Sequence, residues 1–148
     1  MVGDALAGGP LTELEDWARD LLERSRVARL GLLDLDDRPR VLPITFAIAG
    51  ERIWSAIDAK PKRPGREPAR LDFVRRRPEV ALTADLYDDD WSRLAWVQVL
   101  GRASVDPGGE APEALAALIE KYEQYRAEPP PGPLISIVPE RALWWRAR

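Results

Sequence analysis

Eight cations fall between residues 60 and 77: Lys60, Lys62, Arg63, Arg66, Arg70, Arg75, Arg76 and Arg77. Only Glu67 and Asp72 oppose them, a local surplus of six positive charges in a chain of net charge −3, so the remainder carries −9. An acidic protein that gathers its positive charge directly after an apolar strand, here IWSAI, offers a seat for an anion. The residues alone leave open which anion, a phosphate being one candidate, and a solvated loop that aids solubility is the alternative. Arginine and lysine on a loop entering a helix supply charge-assisted donors, and the helix N-terminus adds its dipole. Arg75, Arg76 and Arg77 are different: they fall at a helix C-terminus, where cations favour the macrodipole, and are read as structural.

Two absences narrow the chemistry further. The chain has no histidine and no cysteine, which removes Ser-His-Asp and Cys-His catalysis, thiolate redox work and zinc sites built on imidazole or thiolate. What remains is carboxylate, lysine, tyrosine or serine chemistry, or a bound cofactor that brings its own reactive atom. Asp88, Asp89 and Asp90 do not make a metal site, because three consecutive side chains diverge, and a solvated turn is expected there. Tyr87, Tyr122 and Tyr125 could donate protons, but helical spacing explains the last two as packing, and no residue is assigned a catalytic role.

The elements that must position these groups follow from periodicity. With 148 residues, 45% of them apolar, the chain is expected to form one soluble domain, with residues 1–10 as a flexible Gly/Ala/Pro leader. Thr12 and Glu15 have the spacing of a capping box, and Leu14, Trp17, Ala18, Leu21 and Leu22 recur at helical spacing, which predicts a helix over 12–25. Three strands separated by short turns follow: VARLGLLDL, RVLPITFAIAG, in which Pro43 marks an edge or a bulge, and RIWSAI. Then come a helix near 67–77 stopped by Pro78, the strand VALTADL, and the long strand RLAWVQVLGRASV, whose Gly101 signals a bulge or a close approach. Pro112 opens a third helix with Leu115, Leu118, Ile119, Tyr122 and Tyr125 or Arg126 on its face, and LISIVPERALWWRAR closes the chain as a strand. Trp144 and Trp145 are neighbours in that strand and must face opposite ways, one of them into the core. The order predicts a mainly β (α+β) fold, a six-stranded antiparallel barrel with three flanking helices.

Three strings, RVLPITFAIAGERIWSAIDAKPKR, FVRRRPEVALTADLYDDDW and AWVQVLGRASV, resemble the split-barrel family of flavin and deazaflavin oxidoreductases that contains pyridoxamine 5'-phosphate oxidase. DAKPKR and YDDDW look most like its actinobacterial branch, which uses the deazaflavin coenzyme F-420. The resemblance implies a split β-barrel and a homodimer with the cofactor in grooves between protomers. It places the cofactor phosphate on Lys60, Lys62, Arg63 and Arg70. The ring is implied to lie along Pro43, Ile44 and Thr45 and along Ser55, Ala56 and Ile57. Trp96 falls where flavin members of the family often carry a polar residue from the partner protomer, a departure that sets FMN as the alternative cofactor. The activity implied is hydride transfer to or from a small conjugated substrate. The alternatives are an FMN oxidase or flavin reductase of the same fold, and a protein that binds a cofactor without turnover.

A nucleic-acid role is disfavoured by the net acidity and by the confinement of the cations to one segment. No apolar run of about 18 residues suggests a membrane span, and the N-terminus lacks the pattern of a signal peptide, so a cytoplasmic protein is expected.

Overall fold

The computed structural model describes residues 6–57 and 67–148. Eight strands form one sheet: β1 (Ala7–Gly9), β2 (Ala28–Leu33), β3 (Pro39–Ile44), β4 (Ala47–Ala49), β5 (Arg52–Ala56), β6 (Glu79–Leu86), β7 (Ala95–Asp106) and β8 (Leu134–Arg146). Four α-helices accompany them: α1 (Asp16–Arg24), α2 (Ala69–Arg76), α3 (Pro112–Lys121) and α4 (Glu123–Ala127). The strand order is β3-β2-β6-β7-β8-β5-β4, every pairing is antiparallel, and β1 adds to β8 beyond β5. β3 and β4 are consecutive in the chain yet stand at opposite ends of this order. Only Thr45 and Phe46 separate them, so Ile44 and Ala47 lie within about 11 Å of each other. The sheet therefore curls until its two ends meet without pairing, and the barrel is split at Thr45–Phe46.

Alternation along the strands decides what faces inward. In β6, Val80, Leu82 and Ala84 are buried, and in β7, Val97, Val99, Gly101 and Ala103. They join Leu22 of α1, Phe46, Ile53, Leu71 of α2, Ile135 and Ile137 in the main core. A second core lies under α3 and α4, where Leu118, Tyr122 and Tyr125 pack on Ala47, Trp54, Ala56 and Leu134. β5 is thus covered on both faces. No helix among the described residues is long and apolar enough to cross a membrane.

The fold class stands as read, with particular corrections. The strands number eight rather than six because RVLPITFAIAG breaks at the split and because the leader contributes β1. Ala7, Gly8 and Gly9 are not a loose tail but pair with Trp144, Leu143 and Ala142. The capping box does not form: Leu11–Glu13 is a 3-10 turn that buries Leu11, α1 begins at Asp16, and no side chain caps it. Glu15 instead accepts a hydrogen bond from Trp144 Nε1 at 2.8 Å. The third helix divides into α3 and α4 because Tyr122 is extended, with φ −116° and ψ 120°. The readings of Pro43 and Gly101 hold. Pro43 sits on the edge strand β3, and the register slips between Leu100 and Gly101, leaving Glu140 of β8 without a partner on β7.

A Cβ at Gly101 would run into the carbonyl oxygen of Val138, which is backbone and cannot step aside. Gly101→Ala is expected to cost about 1–3 kcal/mol, read as a lower urea midpoint with an unchanged m-value.

Candidate functional site

The face of the sheet away from the main core carries a continuous cross-strand row: Pro43 of β3, Arg29 of β2, Thr83 of β6, Gln98 of β7 and Leu143 of β8. Residues directly opposite in antiparallel strands share a face, so these five side chains stand side by side. Gln98 Nε2 donates to Thr83 Oγ1 at 3.3 Å. One step along the strands lies a shorter row of Asp85, Trp96 and Trp145, tied to the first by Arg29 and Asp85, 3.7 Å apart. On the other side come Val41, Gly31, Ala81 and Leu100, with a shallow hollow of about 310 Å³ beside them, lined in part by Leu33, Pro39 and Val80. The surface is therefore flat where it is Gly31 and Ala81, and polar where it is Arg29, Thr83 and Gln98. Val41 is 67% exposed at its rim.

Two of the residues read from the sequence as ring contacts, Pro43 and Trp96, stand on this face. Trp145 joins Trp96 there, while Trp144 is buried in the core, the division that their adjacency requires. Thr45 and Ser55 lie elsewhere, at the split. Ser55 is 1% exposed, and its hydroxyl donates to the carbonyl of Thr45 at 2.8 Å. The Thr45 hydroxyl is 2.7 Å from that of Tyr125. Ala56 is buried, Ile57 packs against the main core, and Arg70 is half-buried on α2. β4 pairs with β5 only as far as Trp54, so at Ser55 and Ala56 the ladder is with β8 alone. What Ser55 and Ala56 can offer a ligand is backbone rather than side chain. Lys60, Lys62 and Arg63 lie outside the described residues.

The C-terminal arginines of α2 are accounted for by ion pairs. Arg75 meets Glu67 at 3.0 Å and Asp72 at 3.2 Å. Arg76 and Arg77 both reach Asp37 of the β2–β3 turn, at 2.8 and 3.1 Å, and the hydrogen bond from Arg76 holds the Asp37 carboxyl below its ordinary range. Asp88 and Asp90 shape the turn before β7: Asp90 accepts from the backbone and hydroxyl of Ser92, which lowers its pKa.

The split holds a second group of titratable residues. Tyr122 Oη accepts from the Phe46 N–H at 3.0 Å and stands 2.8 Å from the Arg26 carbonyl and 3.1 Å from that of Phe46. Burial raises its pKa. Beside it the Lys121 ammonium lies 3.9 Å from the Phe46 ring centre and 5.5 Å from that of Tyr122. Burial, helped by the charge of Arg26, depresses Lys121 to about 8. The sequence reading missed Arg29, Thr83, Gln98 and Lys121. The first three were findable, since T-x-D in β6 and W-x-Q in β7 carry the outward alternation; Lys121 carries no signal, because it ends a helix as many lysines do.

This geometry defines a class first: an open antiparallel barrel, split between consecutive strands, with helices packed over the split. Residues 14–146 match the family model described as pyridoxamine 5'-phosphate oxidase, and the chain belongs to that family. No curated protein matches the chain. Among solved structures, a conserved hypothetical protein from Mycobacterium tuberculosis superimposes with a TM-score of 0.73 at 20% identity, over 91% of this chain and 86% of that one. An FAD-binding protein from Mesorhizobium loti gives 0.70 at 18% identity, over 98% and 100%. A protein described as an F-420 reductase gives 0.63 at 20% identity, over 87% and 98%. At these identities the likeness is one of fold.

The folded-state pKa of Lys121, about 8, lies below the 10.5 of an unperturbed lysine. Between those values the unfolded chain binds the extra proton, so the contribution of Lys121 to stability rises with pH across that window and is flat below it. Urea unfolding from pH 7 to 10.5 should show wild type gaining on Lys121→Met, by about 1 kcal/mol because the side chain is only partly buried.

Proposed function

We propose that this chain is an oxidoreductase that holds coenzyme F-420 and passes a hydride to or from a small conjugated substrate, acting as a homodimer with the cofactor between protomers. The observation that carries this reading is the cluster of positive charge that the sequence places directly after β5. Arg75, Arg76 and Arg77 are matched by Glu67, Asp72 and Asp37. The other five cations of the segment are Lys60, Lys62, Arg63 and Arg66, between β5 and α2, and Arg70 of α2. Such a group suits a phosphate and an acidic tail. Lys60, Lys62, Arg63 and Arg70 would hold the phosphate, and Pro43, Thr45 and the backbone of Ser55, Ala56 and Ile57 would border the ring. The bound ring supplies the hydride, which suits a chain with neither histidine nor cysteine. The protein's share is to place that ring against an electron-poor double bond and to exclude water.

The homodimer finds support in the outer face. Gly31 and Ala81 leave it flat, Val41 is exposed there, and Leu100, Trp96 and Trp145 are only partly covered within the single chain. A second copy packed there would bring its own Trp96 toward the first protomer's Pro43 row. A second reading is FMN as the cofactor; a structural neighbour described as FAD-binding supports a flavin in this fold. Apolar Trp96 favours the deazaflavin over FMN. A non-catalytic cofactor carrier shares every binding expectation and differs only in lacking turnover.

Titrating pure protein into F-420 should quench the deazaflavin fluorescence with a micromolar Kd. A Lys60→Ala, Lys62→Ala, Arg63→Ala variant should weaken binding at least tenfold, about 1.4 kcal/mol or more, because it can no longer donate charge-assisted hydrogen bonds to the phosphate. Unchanged affinity in that variant rejects the phosphate seat; a yellow preparation that ignores F-420 selects FMN. Ala81→Arg should convert a species of twice the chain mass to the single chain in sedimentation velocity, and a wild-type monomer at all concentrations would remove the dimer.

A further inference from the structure

Lys121 is the buried charge that neither the fold nor the proposed redox site uses. Its Nζ is sealed from solvent and has no hydrogen-bond partner. Two aromatic faces stabilise its charge, Phe46 at 3.9 Å and Tyr122 at 5.5 Å, but a ring face accepts none of its three N–H donors in the way an oxygen would. A second cation shares the Tyr122 ring: the Arg26 guanidinium carbon lies 4.8 Å from its centre. Arg26 is exposed, and among the described residues neither cation is within ion-pair distance of a carboxylate. Glu23 of α1 is the acidic group that acts on Lys121 from a distance, and it is already engaged by Arg19 at 3.0 Å. Tyr122 contributes a hydroxyl committed to backbone, and Phe46 no charge at all. Two cations thus share one ring at the split, repel each other, and lack a counter-ion among the described residues.

We propose that Arg26 and Lys121 form a binding site for a small oxyanion group, a phosphate or a carboxylate, at the split between β3 and β4. A buried ammonium with unmet donors, sharing a ring with a guanidinium, is an arrangement that an oxyanion relieves: it accepts from the ammonium and offsets the repulsion between the two cations. The proposal does not depend on the redox reading.

The test is an NMR titration of the Lys121 side-chain resonances in ¹³C-lysine protein, assigned with Lys121→Met, with sodium chloride, inorganic phosphate or glutarate added at equal ionic strength. In chloride the midpoint should lie near 8. An anion seated against the ammonium favours its charged form and should move the midpoint up by about one unit or more. A response to phosphate alone, to glutarate alone or to both supports the site and names its ligand class. Arg26→Gln, a change at an exposed position, should abolish most of the response and leave the fold intact by its amide spectrum. A midpoint that is the same in all three salts, or a response undiminished by Arg26→Gln, overturns the proposal.

Discussion

The Tyr122 hydroxyl holds the barrel where its own strands do not. It accepts from the Phe46 N–H and has two carbonyls within reach, those of Arg26 and Phe46. A phenol has one proton to give, so it serves the two carbonyls in turn while remaining anchored by the amide. Three segments meet in this way: the approach to β2, the corner between β3 and β4, and the break between α3 and α4. An unbroken helix through 122 would carry Tyr122 on the same face as Leu118 but would leave its backbone committed to the helix. The extended Tyr122 ends α3, and a new turn of α4 brings Tyr125 to the Thr45 hydroxyl. The helix break is the condition for closing the split with side chains rather than strand pairing.

That closure explains the environment of Lys121. A residue at the last turn of α3 normally directs its ammonium to water and to the helix C-terminus. Because α3 stops to let Tyr122 turn inward, Lys121 is drawn against Phe46 and under the same cover. Desolvation outweighs the ring contacts in setting its proton affinity, since the two effects oppose each other and the pKa falls. The cost is localised at the split, next to Thr45, which is where a conformational adjustment moves the fewest other contacts.

Much of the fold was legible because period-two alternation and turn residues were clean. Val80, Leu82 and Ala84 of β6 and Val97, Val99, Gly101 and Ala103 of β7 alternate as buried residues, Pro43 marked an edge or a bulge, and Gly101 marked a bulge or a close approach. The misreadings share a cause. Thr12 and Glu15 have capping-box spacing, but Glu15 has a stronger use 129 residues away on Trp144. Ala7–Gly9 has the composition of a loose tail, yet Gly8 and Gly9 let it lie close along β8, where Leu143 and Glu13 leave little room for a side chain. The side chain of Ser55 is likewise committed to a distant partner, the carbonyl of Thr45, on a strand covered on both faces by two different cores. In each case a long-range partner decided the outcome, and local spacing carries no information about such partners.

The candidate site was legible in its charge and not in its shape. Types and counts sufficed to show that Arg75, Arg76 and Arg77 belong to a helix end, and the geometry gives them Asp37, Glu67 and Asp72 as partners. The face bearing Pro43, Arg29, Thr83 and Gln98 could be composed only after the register was known, because β3, β2, β6 and β7 come from distant parts of the chain. That face has hydrogen-bonding groups at its centre and tryptophans at one end, but no group that could itself accept electrons. A protein built this way contributes position, polarity and shelter, so redox chemistry on this face would need a bound group that carries the electrons. A flat row flanked by Gly31 and Ala81 suits a flat ligand or a second sheet, and a site between two copies of the chain would use it for both.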